Sequence, residues 1–108
     1  MSRDEIPPGT LHLLILKTLV GGVEMHGFEI AEAIERRSDE VLTVEEGSLY
    51  PALQRLLAKG LIEGEWSTTA ANRRARYYRL TRAGRRQLEA ELSQFNRITG
   101  ALVRVLQT

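Results

Sequence analysis

The chain has no cysteine among its 108 residues. It therefore has no disulfide, no thiolate nucleophile and no cysteine-ligated zinc or iron–sulfur site. Long apolar runs are also missing, because no stretch approaches the roughly 20 residues that span a bilayer. Residues 1–8 are charged and contain proline, which is unlike a secretory signal. These absences predict a cytoplasmic protein with no membrane segment.

The usual signatures of catalysis are absent too. The sequence contains no glycine-rich phosphate loop, no G-x-S-x-G motif and no paired carboxylates. Its two histidines, His12 and His26, have no further ligands at the spacing that a metal site needs. We expect His12 at the surface or satisfied in the core, and His26 capping the helix that follows it. The prediction is a protein without enzyme activity, metal or cofactor.

The net charge of +1 conceals an uneven distribution of charge. Residues 1–46 carry four basic and ten acidic side chains, whereas residues 47–108 carry eleven basic and four acidic ones. Seven arginines and no acid fall between positions 73 and 86. Arginine is the side chain best matched to phosphate oxygens and guanine edges. Three interpretations stay open: a surface that binds nucleic acid, a solvated basic face that keeps the protein soluble, or a face that pairs with the acidic first half.

Composition is ordinary for one small globular domain, with 43% hydrophobic and 27% charged residues. We expect residues 1–9 to form a flexible N-terminus, since prolines and a glycine prevent helix formation there. Thr10 can cap a first helix that runs to about Val20 and belongs to the core. A second helix is predicted over residues 27–37, and a brief extended piece over residues 41–44.

The segment from Glu46 to Ile62 carries the most information. Its leucines fall at helical spacing and predict a buried face made of Leu49, Leu53, Leu56 and Leu57. The side chains left outside are suited to contact DNA phosphates or base edges, and the DNA-binding candidates among them are Ser48, Tyr50, Gln54 and Arg55. A helix that begins between Glu46 and Ser48 places Pro51 near its first turn, where a missing N–H costs least. Gly60 then ends the helix in the left-handed conformation.

Two strands joined by a polar turn follow this helix. Residues 61–67 and 75–80 carry β-forming side chains, and residues 68–72 form the turn. Helix, turn and strand in this order are typical of a winged helix. We expect the arginines near the tip of the wing to contact the DNA backbone or enter the minor groove, and these are Arg73, Arg74 and Arg76.

Three of the side chains near the wing have other interpretations. Arg76 shares strand parity with the inward residues and could pair with an acid such as Glu63. Tyr50 could pack its ring against the wing and present only its hydroxyl at the surface. Trp66 is expected to anchor the core or an interface rather than to stack on a ligand.

Residues 82–106 predict one long helix, which Thr81 can cap. Apolar side chains recur along it at spacings of 4, 3, 4, 3 and 4, with Thr99 as the polar member, and the candidate dimerisation residues are Leu88, Leu92, Phe95, Leu102 and Leu106. A helix that leaves its domain with such a stripe predicts a homodimer; the alternative is a helix folded back onto its own core. The predicted fold is mainly α with a small β-wing, namely a winged helix-turn-helix over residues 10–81 and a C-terminal dimerisation helix over residues 82–108.

Three ordered motifs resemble those of one family of bacterial transcriptional regulators. Residues 46–62 are similar to the pattern G-[ST]-L-Y-P-x-L-x-R-L-x-x-x-G-L-I of the PadR family. Residues 26–30 resemble its H-G-[FY]-E-I motif, and residues 76–81 with Gly84 resemble R-x-Y-x-L-T-x-x-G. The resemblance implies a short PadR-like protein with a winged helix and a single C-terminal dimerisation helix.

The predicted function is that of a sequence-specific DNA-binding transcriptional regulator. We call the helix that begins between Glu46 and Ser48 the reading helix, since its exposed side chains would contact phosphates or base edges. A homodimer would present two reading helices and two wings to pseudo-palindromic double-stranded DNA. Repression of a promoter is what the resemblance implies, and so is a small hydrophobic effector held between terminal helices, where this chain offers Phe95 as its aromatic side chain. Two alternatives are a winged-helix module that docks on a protein and a regulator whose main event is the capture of a hydrophobic small molecule.

Overall fold

The computed structural model describes residues 3–108 of the chain. Met1 and Ser2, which belong to the predicted flexible N-terminus, lie outside the described residues. Within residues 3–108 the helices are α1 (Leu11–Thr18), α2 (Gly27–Arg37), α3 (Glu46–Ala58) and α4 (Arg82–Leu106). The strands are β1 (Asp4–Glu5), β2 (Met25–His26), β3 (Leu42–Thr43), β4 (Ile62–Thr68) and β5 (Arg74–Leu80). The predicted fold class, mainly α with a small β-wing in a winged helix, is confirmed.

α1, α2 and α3 pack around one apolar core. Three of the four leucines predicted on the inward face of α3 are buried, since Leu49, Leu53 and Leu56 are at most 2% exposed. The fourth, Leu57, is partly buried against the same core. Ile15 of α1 and Ile30 of α2 are fully buried in the same core. Each such side chain stabilises the fold by about 1.5–3 kcal/mol when it leaves water. This core fixes the orientation in which α3 presents its opposite face to solvent.

Local hydrogen bonds set the start of α2, and a glycine follows the end of α3. The N–H of Glu29 donates to Nδ1 of His26 at 3.3 Å, and Glu29 Oε1 accepts from the N–H of His26 at 3.1 Å. The predicted capping role of His26 is therefore confirmed. α3 begins at Glu46 and is followed by Gly60 with a φ of +72°, as the sequence predicts.

α1 differs from its prediction at both ends. Thr10 occupies the N-cap position, but its hydroxyl donates to the Pro7 carbonyl at 2.7 Å and accepts no hydrogen bond from the helix. The helix ends at Thr18, two residues before the predicted end at Val20. Leu19, just outside the helix, is still fully buried and completes the core contribution of this segment.

The wing belongs to a three-stranded antiparallel sheet with the order β2-β5-β4. β4 and β5 lie within one residue of their predicted bounds. The sequence does not predict β2, because a two-residue strand has no alternation to detect. This strand is defined by the pairing of Met25 with Tyr78 and of His26 with Tyr77. This pairing attaches the start of α2 to the wing.

The segment before α1 is held in a way that the sequence does not predict. Asp4 and Glu5 pair in parallel with β3, although residues 1–9 were expected to be flexible. Arg3 forms ion pairs with Glu40 and with Glu35, the latter at 3.6 Å. The ladder and these ion pairs place residues 5–9 beside the N-terminal end of α3.

α4 begins inside the domain and then leaves it. The Thr81 hydroxyl accepts from the N–H of Gly84 at 3.0 Å and donates to the Gly60 carbonyl at 2.7 Å, which confirms the predicted cap and ties α4 to the end of α3. Leu88 is only 4% exposed and belongs to the core of its own domain. The assignment of Leu88 to a dimer contact is therefore wrong, since the domain itself already covers this side chain. Leu92 is half-buried against the same core.

Candidate nucleic-acid interface

The exposed face of α3 presents the four side chains that the sequence predicts. Ser48, Tyr50, Gln54 and Arg55 are all exposed. Ser48 and Arg55 are seven residues apart and lie along one edge of this face, whereas Tyr50 and Gln54 are four apart and lie along the other. The middle of the face is formed by Gly47, Pro51 and Ala58, which extend little or not at all beyond the backbone. A partner can therefore approach the helix backbone closely between two polar edges.

The edge with Tyr50 and Gln54 faces the wing across an open cleft of about 860 Å³. Trp66 of β4 and Arg74 and Arg76 of β5 line its opposite side. These three wing residues share one face of the sheet, because Trp66 pairs directly with Arg76 and Arg74 lies two residues away. The cleft thus joins the predicted reading helix to the predicted wing arginines.

Arg76 enters this cleft along the surface of the sheet. Its side chain crosses Gly64, where an added Cβ would lie 2.5 Å from Arg76 Nε. The Nε atom is buried and has no hydrogen-bond partner among the described residues. The alternative pairing with Glu63 does not form, because Glu63 is directly opposite Arg79 in the register and points to the other face of the sheet.

The far face of the sheet carries its own charge network. Arg79 donates to Glu24 at 2.9 Å and to Glu63 at 3.2 Å, and Glu65 lies 3.9 Å away. The hydrogen bonds to Glu24 and Glu63 raise the pKa of Arg79, and the carboxylates balance its charge on that face. In contrast, within residues 3–108 no carboxylate oxygen lies within 4.0 Å of the three predicted wing arginines, Arg73, Arg74 and Arg76. The sheet therefore has one balanced face and one basic face.

Trp66 and Arg74 form a stacked pair on the basic face. The guanidinium carbon of Arg74 lies 5.0 Å from the centre of the Trp66 ring, a cation–π distance. Trp66 is 56% exposed, so of its two expected roles, an anchor of the core or of an interface, the core role is wrong and the interface role stays a prediction. The following turn is closed by Thr69, whose hydroxyl accepts from the Arg73 N–H at 3.2 Å, and Arg73 itself is exposed at the tip.

Tyr50 packs against the start of α2. A Cβ added at Gly27 would lie 3.2 Å from both Cε1 and the hydroxyl of Tyr50, so the ring rests on the first residue of α2. Tyr50 is still 46% exposed. At the floor of the cleft, burial raises the pKa of the Tyr78 hydroxyl and Arg76 opposes that shift. Two tyrosines thus back the cleft, one exposed and one buried.

Arg55 has a partner that the sequence does not predict. Its Nε–H donates to Nε2 of His12 on α1 at 3.4 Å. Burial lowers the pKa of His12, and so do the charges of Arg55 and Lys59. These residues are 43 positions apart, and no local pattern in the sequence connects them. Within residues 3–108 no cluster of three or more His, Asp or Glu could hold a metal, and no helix is long and apolar enough to cross a membrane.

The model of the Transcriptional regulator PadR-like family matches residues 15–90, which include the whole cleft and the face of α3. The chain belongs to this family. The match spans the three motifs named above and ends in α4 just beyond Leu88. His12 and the exposed second half of α4 lie outside it. The PadR-like resemblance that the sequence predicts is therefore confirmed.

Solved PadR-like structures share the fold along most of its length. A transcriptional regulator from Clostridium thermocellum is 25% identical with a TM-score of 0.80, and the alignment covers 89% of this chain and 92% of that one. A PadR family regulator from Clostridium difficile is 30% identical with a TM-score of 0.77, covering 91% and 99% of the two chains. Bacillus subtilis PadR in complex with operator DNA is 23% identical with a TM-score of 0.69, over 81% of this chain and 48% of that one.

Proposed function

We propose that this chain binds double-stranded operator DNA as a homodimer and represses transcription from that promoter. The observation that carries the proposal is the arginine-lined cleft, which lies directly beside the exposed face of α3. Among residues 3–108, no carboxylate lies within ion-pair distance of its wing arginines. A regulator of this kind would act in the cytoplasm, where bacterial DNA lies. The Bacillus subtilis relative solved with operator DNA supports the proposal, since the two structures share the fold over 81% of this chain.

α3 would enter the major groove, where base pairs are distinguishable by their hydrogen-bonding edges. Gln54 suits adenine or a phosphate, and Arg55 suits guanine or a phosphate. Ser48 and Tyr50, nearer the start of the helix, would contact phosphates or base edges. The small residues along the middle of the face allow the helix to lie close to the groove floor.

The wing would supply most of the electrostatic attraction. Arg73 and Arg74 are exposed at the tip, and Arg76 lies deeper in the cleft with its Nε unpartnered among the described residues. Each phosphate that a cationic side chain neutralises releases counterions, which makes affinity fall as salt rises. Arg74 would exchange its stack on Trp66 for a phosphate or stay stacked as it makes that contact.

The second half of α4 would pair with the same segment of another copy. Its apolar side chains are exposed, with Phe95 at 41%, Leu102 at 58% and Leu106 at 83%. A two-fold dimer through this segment presents two copies of α3, which fits half-sites about one helical turn apart. The proposed contact residues are Leu92, Phe95, Leu102 and Leu106; Leu88 is not among them because it is a core residue. A flat hydrophobic effector held beside Phe95 is a further partner in this proposal.

The test is binding of the purified protein to a duplex from the promoter upstream of its own coding region. Fluorescence anisotropy at two salt concentrations, with a scrambled duplex of equal composition, gives both affinity and discrimination. We expect tight binding that weakens with salt and prefers the promoter duplex. Equal, salt-insensitive binding to both duplexes would contradict the proposal and favour a module that docks on a protein.

A further inference from the structure

The contact between His12 and Arg55 joins a helix outside the reading face to a side chain on that face. We propose that His12 is a positioning residue that holds Arg55 ready to read guanine, and that protonation of His12 releases Arg55 and weakens discrimination between DNA sequences. The proposal rests on the proposed function, because it assigns base reading to Arg55. It adds a residue of α1 that lies outside the matched family region.

The geometry of the hydrogen bond leaves the reading end of Arg55 free. The bond uses Nε of Arg55, at 3.4 Å from Nε2 of His12. A guanidinium carries five N–H donors, and four of them belong to the two terminal nitrogens. Those terminal nitrogens suffice for the paired contact to O6 and N7 of guanine. A side chain tethered at Nε also loses less conformational entropy when it binds than a free one.

The surroundings of His12 favour the neutral ring that this contact requires. Nε2 must carry a lone pair in order to accept from a guanidinium. Burial, Arg55 and Lys59 each lower the pKa of His12, whereas Glu91 of α4 raises it. Two further carboxylates, Glu5 and Glu45, line the cavity of about 450 Å³ that His12 and Arg55 share. The balance leaves His12 neutral at neutral pH and charged only in more acidic solution.

Protonation of His12 would have two opposite consequences for DNA binding. It removes the acceptor for Arg55 and places a second cation beside the guanidinium, so the side chain leaves its reading position. The same proton adds a positive charge near the DNA backbone, which strengthens binding to any sequence. The expected signature is therefore a split: on acidification, affinity for a scrambled duplex holds or rises while discrimination in favour of the operator falls.

The experiment compares the wild type with His12→Gln, His12→Ala and the matched control His26→Asn, which alters the other histidine but keeps a side chain able to cap α2. The probes are an operator duplex selected from a random pool and its scrambled counterpart. Anisotropy gives the ratio of their dissociation constants at about pH 8 and about pH 5, the latter well below the usual histidine pKa because that of His12 is lowered. Circular dichroism melting confirms that each variant is folded.

For the wild type and His26→Asn we expect the ratio to fall on acidification, by a factor that approaches about fivefold as His12 becomes fully protonated, the low end of what one base contact contributes. His12→Ala should show the lowered ratio at both pH values. His12→Gln, whose amide oxygen can still accept from Arg55 but does not titrate, should keep the high ratio at both. Identical pH dependence in the wild type and both His12 variants would overturn the proposal.

A second measurement needs no DNA. NMR titration of the His12 ring protons should give a higher midpoint in Arg55→Gln than in the wild type, because a charge that lowers the pKa has been removed. An unchanged midpoint would show that the two side chains do not interact and would overturn the proposal. A wild type that binds both duplexes equally at pH 8 would refute the proposed function as well, whereas discrimination that ignores His12 refutes this inference alone.

Discussion

The two halves of α4 carry the same apolar spacing but lie in different surroundings. Leu88 in the first half is 4% exposed and packs in the core, whereas Leu102 in the second half is 58% exposed and is not part of the core formed by the described residues. Helical periodicity predicts an apolar stripe in both halves. It does not show whether the stripe is buried against the same domain or against another copy of the chain. The first half stabilises the domain, and we infer that the second half stabilises a dimer. The glycines follow the same division, with Gly84 pressed against the domain and Gly100 in open surroundings.

The largest expected effect comes from truncating Leu88, the residue of α4 that is buried in the core. Leu88→Ala should lower the free energy of unfolding by about 2–5 kcal/mol, because it leaves a cavity among residues that relax only in part. Urea unfolding at low protein concentration measures this loss. Leu102→Ala is the matched control from the other half, and its unfolding at the same low concentration should change far less. Equal losses in the two variants would mean that the halves of α4 do not differ in role.

The two glycines sharpen the comparison because the same substitution should have opposite signs. A Cβ at Gly84 would lie 1.9 Å from the Leu61 carbonyl oxygen, a backbone atom that cannot move without shifting β4. Gly84→Ala should therefore destabilise the domain by about 1–3 kcal/mol or more. At Gly100 the nearest atom is Arg104 Nη1 at 3.5 Å, so Gly100→Ala should stabilise the helix by about 0.5–1 kcal/mol. Thermal melts of the two variants give the signs directly, and a stabilised Gly84→Ala would refute the close contact.

Loss of the dimer is the next effect in size. Leu102→Asp places a carboxylate on the exposed stripe and should convert the dimer to a monomer, with little change in the fold of the winged helix. Light scattering at several concentrations measures the mass. Ser93→Asp is the matched control, since it adds the same charge to α4 on the opposite face. A Leu102→Asp protein that keeps the dimer mass would remove this segment from the proposed interface.

Much of the fold follows from local patterns, and the exceptions have a common physical origin. The bounds of α2 and α4 and the caps at His26 and Thr81 are set by residues close in sequence, so the sequence predicts them. β1 and β2 contain two residues each and exist only through distant partners, so no periodicity reveals them. Burial of Leu88 depends in the same way on where the domain ends in space.

The candidate site also combines features that local sequence patterns predict with features that depend on residues distant in sequence. Exposure of Ser48 and Gln54 follows from helical spacing alone. The choice between Arg76 and Arg79 as the partner of Glu63 depends on the strand register, which places Glu63 opposite Arg79. Once that register is known, strand parity assigns Arg79 to the balanced face and Arg76 to the cleft. The contact of His12 with Arg55 depends on the packing of α1 against α3, which no pattern in either segment encodes.

The smallest expected effect is a change in the salt dependence of DNA binding, which should differ between arginines at the two ends of the molecule. Arg73 lies at the tip of the wing, and Arg104 lies in the exposed half of α4, so both are exposed arginines of one chain. If Arg73 neutralises one phosphate per protomer, Arg73→Ala should weaken binding to every duplex alike and reduce the slope of log affinity against log salt by about one unit per contact. Arg104→Ala should leave that slope unchanged, because the proposed dimer segment does not touch DNA. Anisotropy over a salt series measures both slopes. An equal reduction in the two variants would show that the attraction is spread over the whole chain, and the distinction between a DNA-binding end and a dimer-forming end would then be wrong.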